Sequence, residues 1–217
     1  MKNIDEELDG IYDEEKKVKK KRKVQPIKED SDIALIKRHL KGSGKDSDKM
    51  WYCLFVTGIN VGLRAGDLTT IRVKDVYDVK KKKCKDRLYI EEEKTAKYRD
   101  IILNKEAKAA IQEYIEFRGE VDPADYLFIT QKGSHPTVQS VNRFMRELGK
   151  ELKIPERLGS HSLRKTFSYK IFQKNAEDKG ILYTIQHILN HHDSQITLAY
   201  LDISDMKIDS IIDNLNL

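Results

Sequence analysis

The chain has 217 residues, with 41 Lys and Arg against 36 Asp and Glu and a formal charge of +5, enough length for one substantial core plus a tail. Two cysteines without CxxC spacing, Cys53 and Cys84, exclude a disulfide or zinc scaffold, and no apolar run approaches the roughly 20 residues of a membrane span. The expectation is a soluble cytoplasmic protein in which the placement of charge matters more than its sum. Residues 1–28 divide into an acidic stretch, Asp5 to Glu15, and a basic one, Lys16 to Lys23. With too little apolar content to order, they read as a flexible charged tail, its lysines available to a DNA backbone, ahead of one domain over 29–217. Asp30 or Ser31 caps a helix carrying Ile33, Leu35, Ile36 and Leu40 and ending at Gly42-Ser43-Gly44. A second helix from Asp46 is apolar nearly all round through Met50 to Val56, so it is central, and it delivers the chain to Gly62-Leu63-Arg64. A short helix over Ala65 to Ile71 precedes alternation at Ile71, Val73 and Val76, read as strand. Arg87 to Glu92 and Tyr98 to Leu103 form an antiparallel pair around Lys94-Thr95-Ala96-Lys97. Helices follow after Asn104 and over Val138 to Leu152, then short helical pieces from Ser160 and a last helix over 205–215 carrying Ile208, Ile211, Ile212 and Leu215. The fold class is mainly α with one small antiparallel β-sheet.

Six polar residues stand out in order: Arg64, Lys94, His161, Arg164, His191 and Tyr200. Two guanidiniums can grip the non-bridging oxygens of a phosphodiester, Lys and His supply titratable donors, and a tyrosine hydroxyl is a competent oxygen nucleophile. His161 and Arg164 are three residues apart, so with Ser160 as cap they share one face of a helix N-terminal turn, where partial positive charge favours an anion. Asp67, three residues after Arg64, is placed to hold that guanidinium. Lys165 adds positive charge on another face. Taken singly, each of these is more simply an ordinary surface ion, and Tyr200 a half-buried core residue.

The order and spacing resemble the tyrosine recombinases, or phage-type integrases, over residues 30 to 205. Gly62-Leu63-Arg64 with Asp67 is similar to that family's first arginine box, Lys94 in Glu-Lys-Thr-Ala-Lys to its hairpin lysine, and His161-Ser162-Leu163-Arg164 to its HxLR box. Leu189-Asn190-His191, with Tyr200 nine residues on, resembles its LGH box and nucleophile. The resemblance implies the tyrosine recombinase catalytic-domain fold and a site-specific DNA recombinase. In it, Tyr200 attacks a scissile phosphate, forms a 3′-phosphotyrosine and releases a 5′-hydroxyl, with no cofactor, ATP or metal. Arg64 and Arg164 stabilise the phosphorane, Lys94 is the acid, His161 takes the tyrosine proton, and His191 donates to a non-bridging oxygen. Lys97, Arg99 and Lys165 are expected DNA contacts. The implied partners are double-stranded attachment sites of a phage or mobile element, an accessory DNA-bending protein and other copies of the chain, as a tetramer on DNA and a monomer free of it. A topoisomerase-like nicking and resealing enzyme of type IB, or a DNA-binding accessory that no longer cleaves, are the alternatives. Two departures stand: Asn190 occupies the usual glycine position, and only the charged tail precedes the catalytic region where relatives carry a domain that closes around DNA.

Overall fold

A computed structural model describes residues 24–93, 96–190, 197 and 198. The sequence-based expectations for the tail up to residue 23, for Lys94, His191 and Tyr200, and for the 205–215 helix lie outside the described residues. Chain order is α1 (Asp30–Gly42), α2 (Asp46–Val61), α3 (Ala65–Thr69), α4 (Val73–Val76), β1 (Tyr77–Asp78), β2 (Lys83–Cys84), β3 (Arg87–Glu92), β4 (Lys97–Ile102), α5 (Lys105–Arg118), α6 (Val138–Glu151), α7 (Ser160–Lys174) and α8 (Ile181–Leu189). The mainly helical expectation holds. Among the described residues no helix is long and apolar enough to cross a membrane.

Helix α2 is the axis of the core, as its all-round apolar composition requires. Cys53, Leu54, Phe55 and Val56 are fully buried, with α1, α5 and α7 packed around them. Trp51 extends this packing by stacking on Phe144 of α6 at 4.1 Å between ring centroids. The capping chemistry is local and legible. Asn104 accepts from the Ala107 N–H at 3.0 Å to start α5, and Thr137 from the Ser140 N–H at 3.1 Å to start α6, each satisfying a donor that the helix start leaves unpaired. Helix α2 ends at Gly62 in the left-handed region, φ 64°, where glycine pays no Cβ penalty.

Five expectations are corrected. The alternation at Ile71, Val73 and Val76 is not a strand pair: Val73–Val76 is one helical turn, started by Asp75, whose carboxylate accepts the Arg72 N–H at 2.8 Å. Val73 and Val76 are three apart and both buried, which fits a helix face as well as it fits a pleat. Instead of one hairpin there are two, β1 with β2 and β3 with β4, both antiparallel. The short helical pieces expected after Ser160 begin with a 15-residue helix, α7. Its Ser162, Arg164, Lys165, Thr166 and Ser168 are buried, so polar residues occupy the inward positions and no apolar stripe announces the helix. Nor does Ser160 cap it. The N-cap is Gly159, whose N–H donates to Ser162 Oγ at 3.1 Å, while the Ser160 N–H donates to Asn142 Oδ1 at 3.2 Å.

The fifth correction is the tail boundary. Residues 24–28 lie against α7 as a strap: Ser162 Oγ donates to the Gln25 carbonyl at 2.7 Å, the Ile27 N–H donates to Thr166 Oγ1 at 2.9 Å, and the Gln25 N–H donates to the Arg157 carbonyl at 3.0 Å. Ile27 is fully buried. On the outer side of α7 a smaller apolar cluster seats α8, with Ile181, Ile185 and Leu189 against Phe167, Ile171 and Phe172.

Candidate active site

Strands β3 and β4 bring charge inward. In their register Glu92 faces Lys97 and Ile90 faces Arg99, and side chains two apart share a face. Leu88, Ile90 and Glu92 therefore share one side of β3. Glu92 is completely buried, and its carboxylate is ringed by guanidiniums. Arg64 Nη1 lies 2.5 Å from Oε2, Arg99 Nη1 donates to Oε1 at 3.0 Å, and Arg164 Nη1 stands 3.6 Å from Oε1. These arginines come from the α2–α3 junction, from β4 and from α7, so three remote segments meet on one anion. Burying a carboxylate without partners is costly; here the partners are charged. Burial also pulls the Arg99 guanidinium below its ordinary value, with Glu92 acting against that shift.

Arg64 and Arg164, predicted as a pair, are thus brought together. Arg64 keeps 22% of its side chain exposed, whereas Arg164 is 1% exposed and donates from Nη1 to the Gly62 carbonyl at 2.8 Å and from Nη2 to the Leu189 carbonyl at 2.5 Å. Arg164 is consequently a tie between the end of α2, α7 and the end of α8 as well as a member of the cluster. His161 lies exposed on the first turn of α7, one turn ahead of Arg164, the end of a helix dipole that favours an anion.

The carboxylate expected to hold Arg64 was Asp67; the structure gives that place to Glu92. Asp67, buried on α3, instead accepts the Glu93 N–H through Oδ1 at 3.0 Å, and its Oδ2 has no hydrogen-bond partner. Burial, with the Glu92 charge adding to it, pushes the Asp67 carboxyl above its usual range. Asp67 therefore anchors the root of the hairpin, and the Arg64 and Arg164 charges act on it without a direct ion pair. Two expected DNA contacts also read differently. Arg99 is committed to Glu92, and Lys165 is buried at 9% exposure, so neither is an open surface cation. Lys97 is exposed, and its Nζ donates to Asn190 Oδ1 at 3.0 Å. Asn190 caps α8 in the left-handed region at φ 56°. Asparagine tolerates that backbone, as glycine does, and supplies an amide that latches the hairpin to α8.

Glu92 is the residue the sequence reading missed. It is the middle of three consecutive glutamates, and only strand parity with Leu88 and Ile90 sets it apart from Glu91 and Glu93. Beside the cluster, a cleft of about 1220 Å³ opens between β4 and α8, lined among others by Tyr98, Arg99, Phe167, Tyr183 and Asn190. It touches the cluster through Arg99 alone; Arg64, His161 and Arg164 do not line it.

Comparison with known proteins gives a consistent setting. The model of the phage integrase family matches residues 16–207. The chain is 33% identical over 183 residues to a Bacillus subtilis (strain 168) protein named "Probable integrase/recombinase YoeC", covering 84% of this chain and 91% of that protein. It is 29% identical over 119 residues to the tyrosine recombinase XerC of Leptospira interrogans, covering 54% of this chain but 37% of that one. Among solved structures, XerA recombinase superposes with a TM-score of 0.64 at 22% identity, covering 91% of this chain and 66% of XerA. XerH site-specific recombinase bound to its difH substrate superposes at 0.65 and 18% identity, covering 90% and 54%. At such identities the structures speak for the fold, that of the tyrosine recombinase catalytic domain. The chain spans about a third to two thirds of XerC and of these two solved chains.

Proposed function

We propose a function from one premise: the chain belongs to the phage integrase family. Its reaction is the site-specific cutting and rejoining of duplex DNA through a tyrosine. The Tyr200 oxygen attacks the scissile phosphorus, the bond from phosphorus to the 5′-oxygen breaks, and a 3′-phosphotyrosine forms. The proton leaves Tyr200 for His161, and the departing 5′-oxygen takes one from Lys94. Attack by a 5′-hydroxyl of a partner strand reverses each transfer. Because one phosphoester replaces another, the energy of the broken bond is retained in the intermediate.

The observation that supports this reading is the meeting of Arg64 and Arg164 at one buried carboxylate, with His161 one turn away. Guanidinium forks match phosphate geometry and stabilise the charge that builds on the pentacoordinate phosphorus. Arg64 offers its remaining edge, because its contact with Glu92 uses Nη1. Arg164 reaches a phosphate by giving up a carbonyl partner, Gly62 or Leu189, for a charged oxygen, which is the stronger acceptor. His191 donates to a non-bridging oxygen. The catalytic unit, on this reading, runs from the strap at residue 24 through the 205–215 helix, and it acts as a tetramer on attachment sites of a phage or mobile element, because two duplexes need four cleavages. Phosphate contacts position such an enzyme, while base contacts choose its site.

The test is covalent trapping. Purified protein is mixed with nicked duplexes tiled from the flanks of its own gene and run on a denaturing gel beside Tyr200→Phe. An adduct that disappears in the Phe variant supports the reading. Binding without an adduct in the wild type, across the tiled set, overturns it in favour of a DNA-binding accessory.

A further inference from the structure

Glu92 takes no part in the proton and phosphoryl transfers above, yet it contacts both arginines they depend on. We propose that Glu92 is a positioning residue for strand cleavage: a resident anion that gathers Arg64, Arg99 and Arg164 into place before DNA arrives. The inference rests on the recombinase reading and deepens it.

Stability alone explains such a group poorly. A buried ion cluster often gives no more stability than well-packed apolar side chains of similar volume, because desolvation offsets the attraction. What it does supply is geometry. Three guanidiniums from separate elements repel one another at this range, and the carboxylate they share, at 2.5, 3.0 and 3.6 Å, is what makes their convergence favourable. Three guanidiniums against the carboxylates of Glu92 and Asp67 leave a positive surplus, suited to a phosphodiester anion and more so to the dianionic phosphorane. The same residue ties this cluster to the hairpin. Glu92 ends β3, two residues before Lys94, and the next N–H, that of Glu93, is held by buried Asp67. Any movement of β3 therefore carries the anchor of both phosphate-gripping arginines with it.

The experiment compares wild type, Glu92→Gln and Glu92→Asp as full chains on the nicked duplex that gives the wild-type adduct. Affinity is read by anisotropy and cleavage by single-turnover rates at saturating DNA. Both are repeated with a neutral methylphosphonate at the scissile position. Glu92→Gln keeps the size and loses the charge. It is expected to bind DNA as well as wild type and to cleave on the order of 10²-fold more slowly, the effect of misplacing a reacting group by about 1 Å. Glu92→Asp is expected to fall between. On the methylphosphonate, where the arginines have less charge to hold, the gap between Glu92→Gln and wild type narrows. A wild-type cleavage rate in Glu92→Gln overturns the proposal, and so does a gap of the same size on both substrates or a loss of affinity and rate in step with melting temperature. If Glu92→Gln does not fold, Glu92→Asp decides: slower cleavage at unchanged affinity supports positioning, and a wild-type rate overturns it. A wild type that forms no adduct is a different result, sinking the recombinase reading and this inference with it.

Discussion

Replacing Gly62 by alanine tests the link between backbone conformation and the arginine cluster. At φ 64° the residue sits where a Cβ costs roughly 1 to 2 kcal/mol. The added carbon also meets the Phe167 ring, at 2.5 Å from Cε1 and 2.9 Å from Cγ. Cγ is the root of the ring and cannot swing clear, and Phe167 is itself packed against the α8 cluster, so overpacking adds about 1 to 3 kcal/mol. Together the cost is roughly 2 to 5 kcal/mol, which for a chain of this size lowers the melting temperature by on the order of 10 °C. Because the Gly62 carbonyl is an acceptor for Arg164, the substitution also shifts a group that holds that guanidinium. The assay is a double-mutant cycle with Phe167→Ala, followed by thermal or urea unfolding. Removing the ring should return the steric part, giving a coupling of about 1 to 3 kcal/mol. Melting of Gly62→Ala within about 2 °C of wild type, or strict additivity in the cycle, would refute the argument.

Three further outcomes are expected. Ile27→Ala should cost about 2 to 5 kcal/mol in urea unfolding, because Ile27 is fully buried under the strap; a cost under about 1 kcal/mol would mean the strap is loosely held. The Asp67 carboxyl is raised, so folding favours its protonated form; that contribution is present at low pH and lost as pH rises through the shifted value. Asp67→Asn mimics the protonated state and can still accept the Glu93 N–H, so at pH 7 it should be at least as stable as wild type. This advantage should fade toward about pH 4, and a clearly less stable Asn variant at pH 7 contradicts the account. Burial pushes the Cys53 thiol far above its ordinary range and Cys84 up to about 11, so a thiol reagent at pH 8 should label neither cysteine quickly in the folded protein and both once it is unfolded. One equivalent of fast labelling in the native state would contradict that.

Most helices were legible because burial on one or all sides leaves a period in the apolar residues. Helix α2 shows it most plainly, and Asn104 and Thr137 announce their helices by capping chemistry. Helix α7 was not legible at its true length, since its inward positions carry Arg164, Lys165, Thr166 and Ser168. The same inversion hid the partner of Arg64. Spacing along a helix favoured Asp67, while the actual carboxylate comes from a strand 28 positions away, and contacts across such separations leave no local trace. That Arg99 and Lys165 are not open surface cations was hidden for a related reason: a basic residue reads as exposed until the element that buries it is known. Asn190 shows the opposite case, a departure from the usual glycine that its left-handed backbone and its latch to Lys97 account for.

The strap over residues 24–28 works as a mechanical coupling. Two of its hydrogen bonds end on Ser162 and Thr166 of α7, which bracket Arg164. Tension arriving at Val24 is therefore borne by the first two turns of the helix that carries His161 and Arg164, and is not dissipated in a loose joint. Whatever pulls or twists the polypeptide at that point has leverage on the N-terminal end of α7 without touching it.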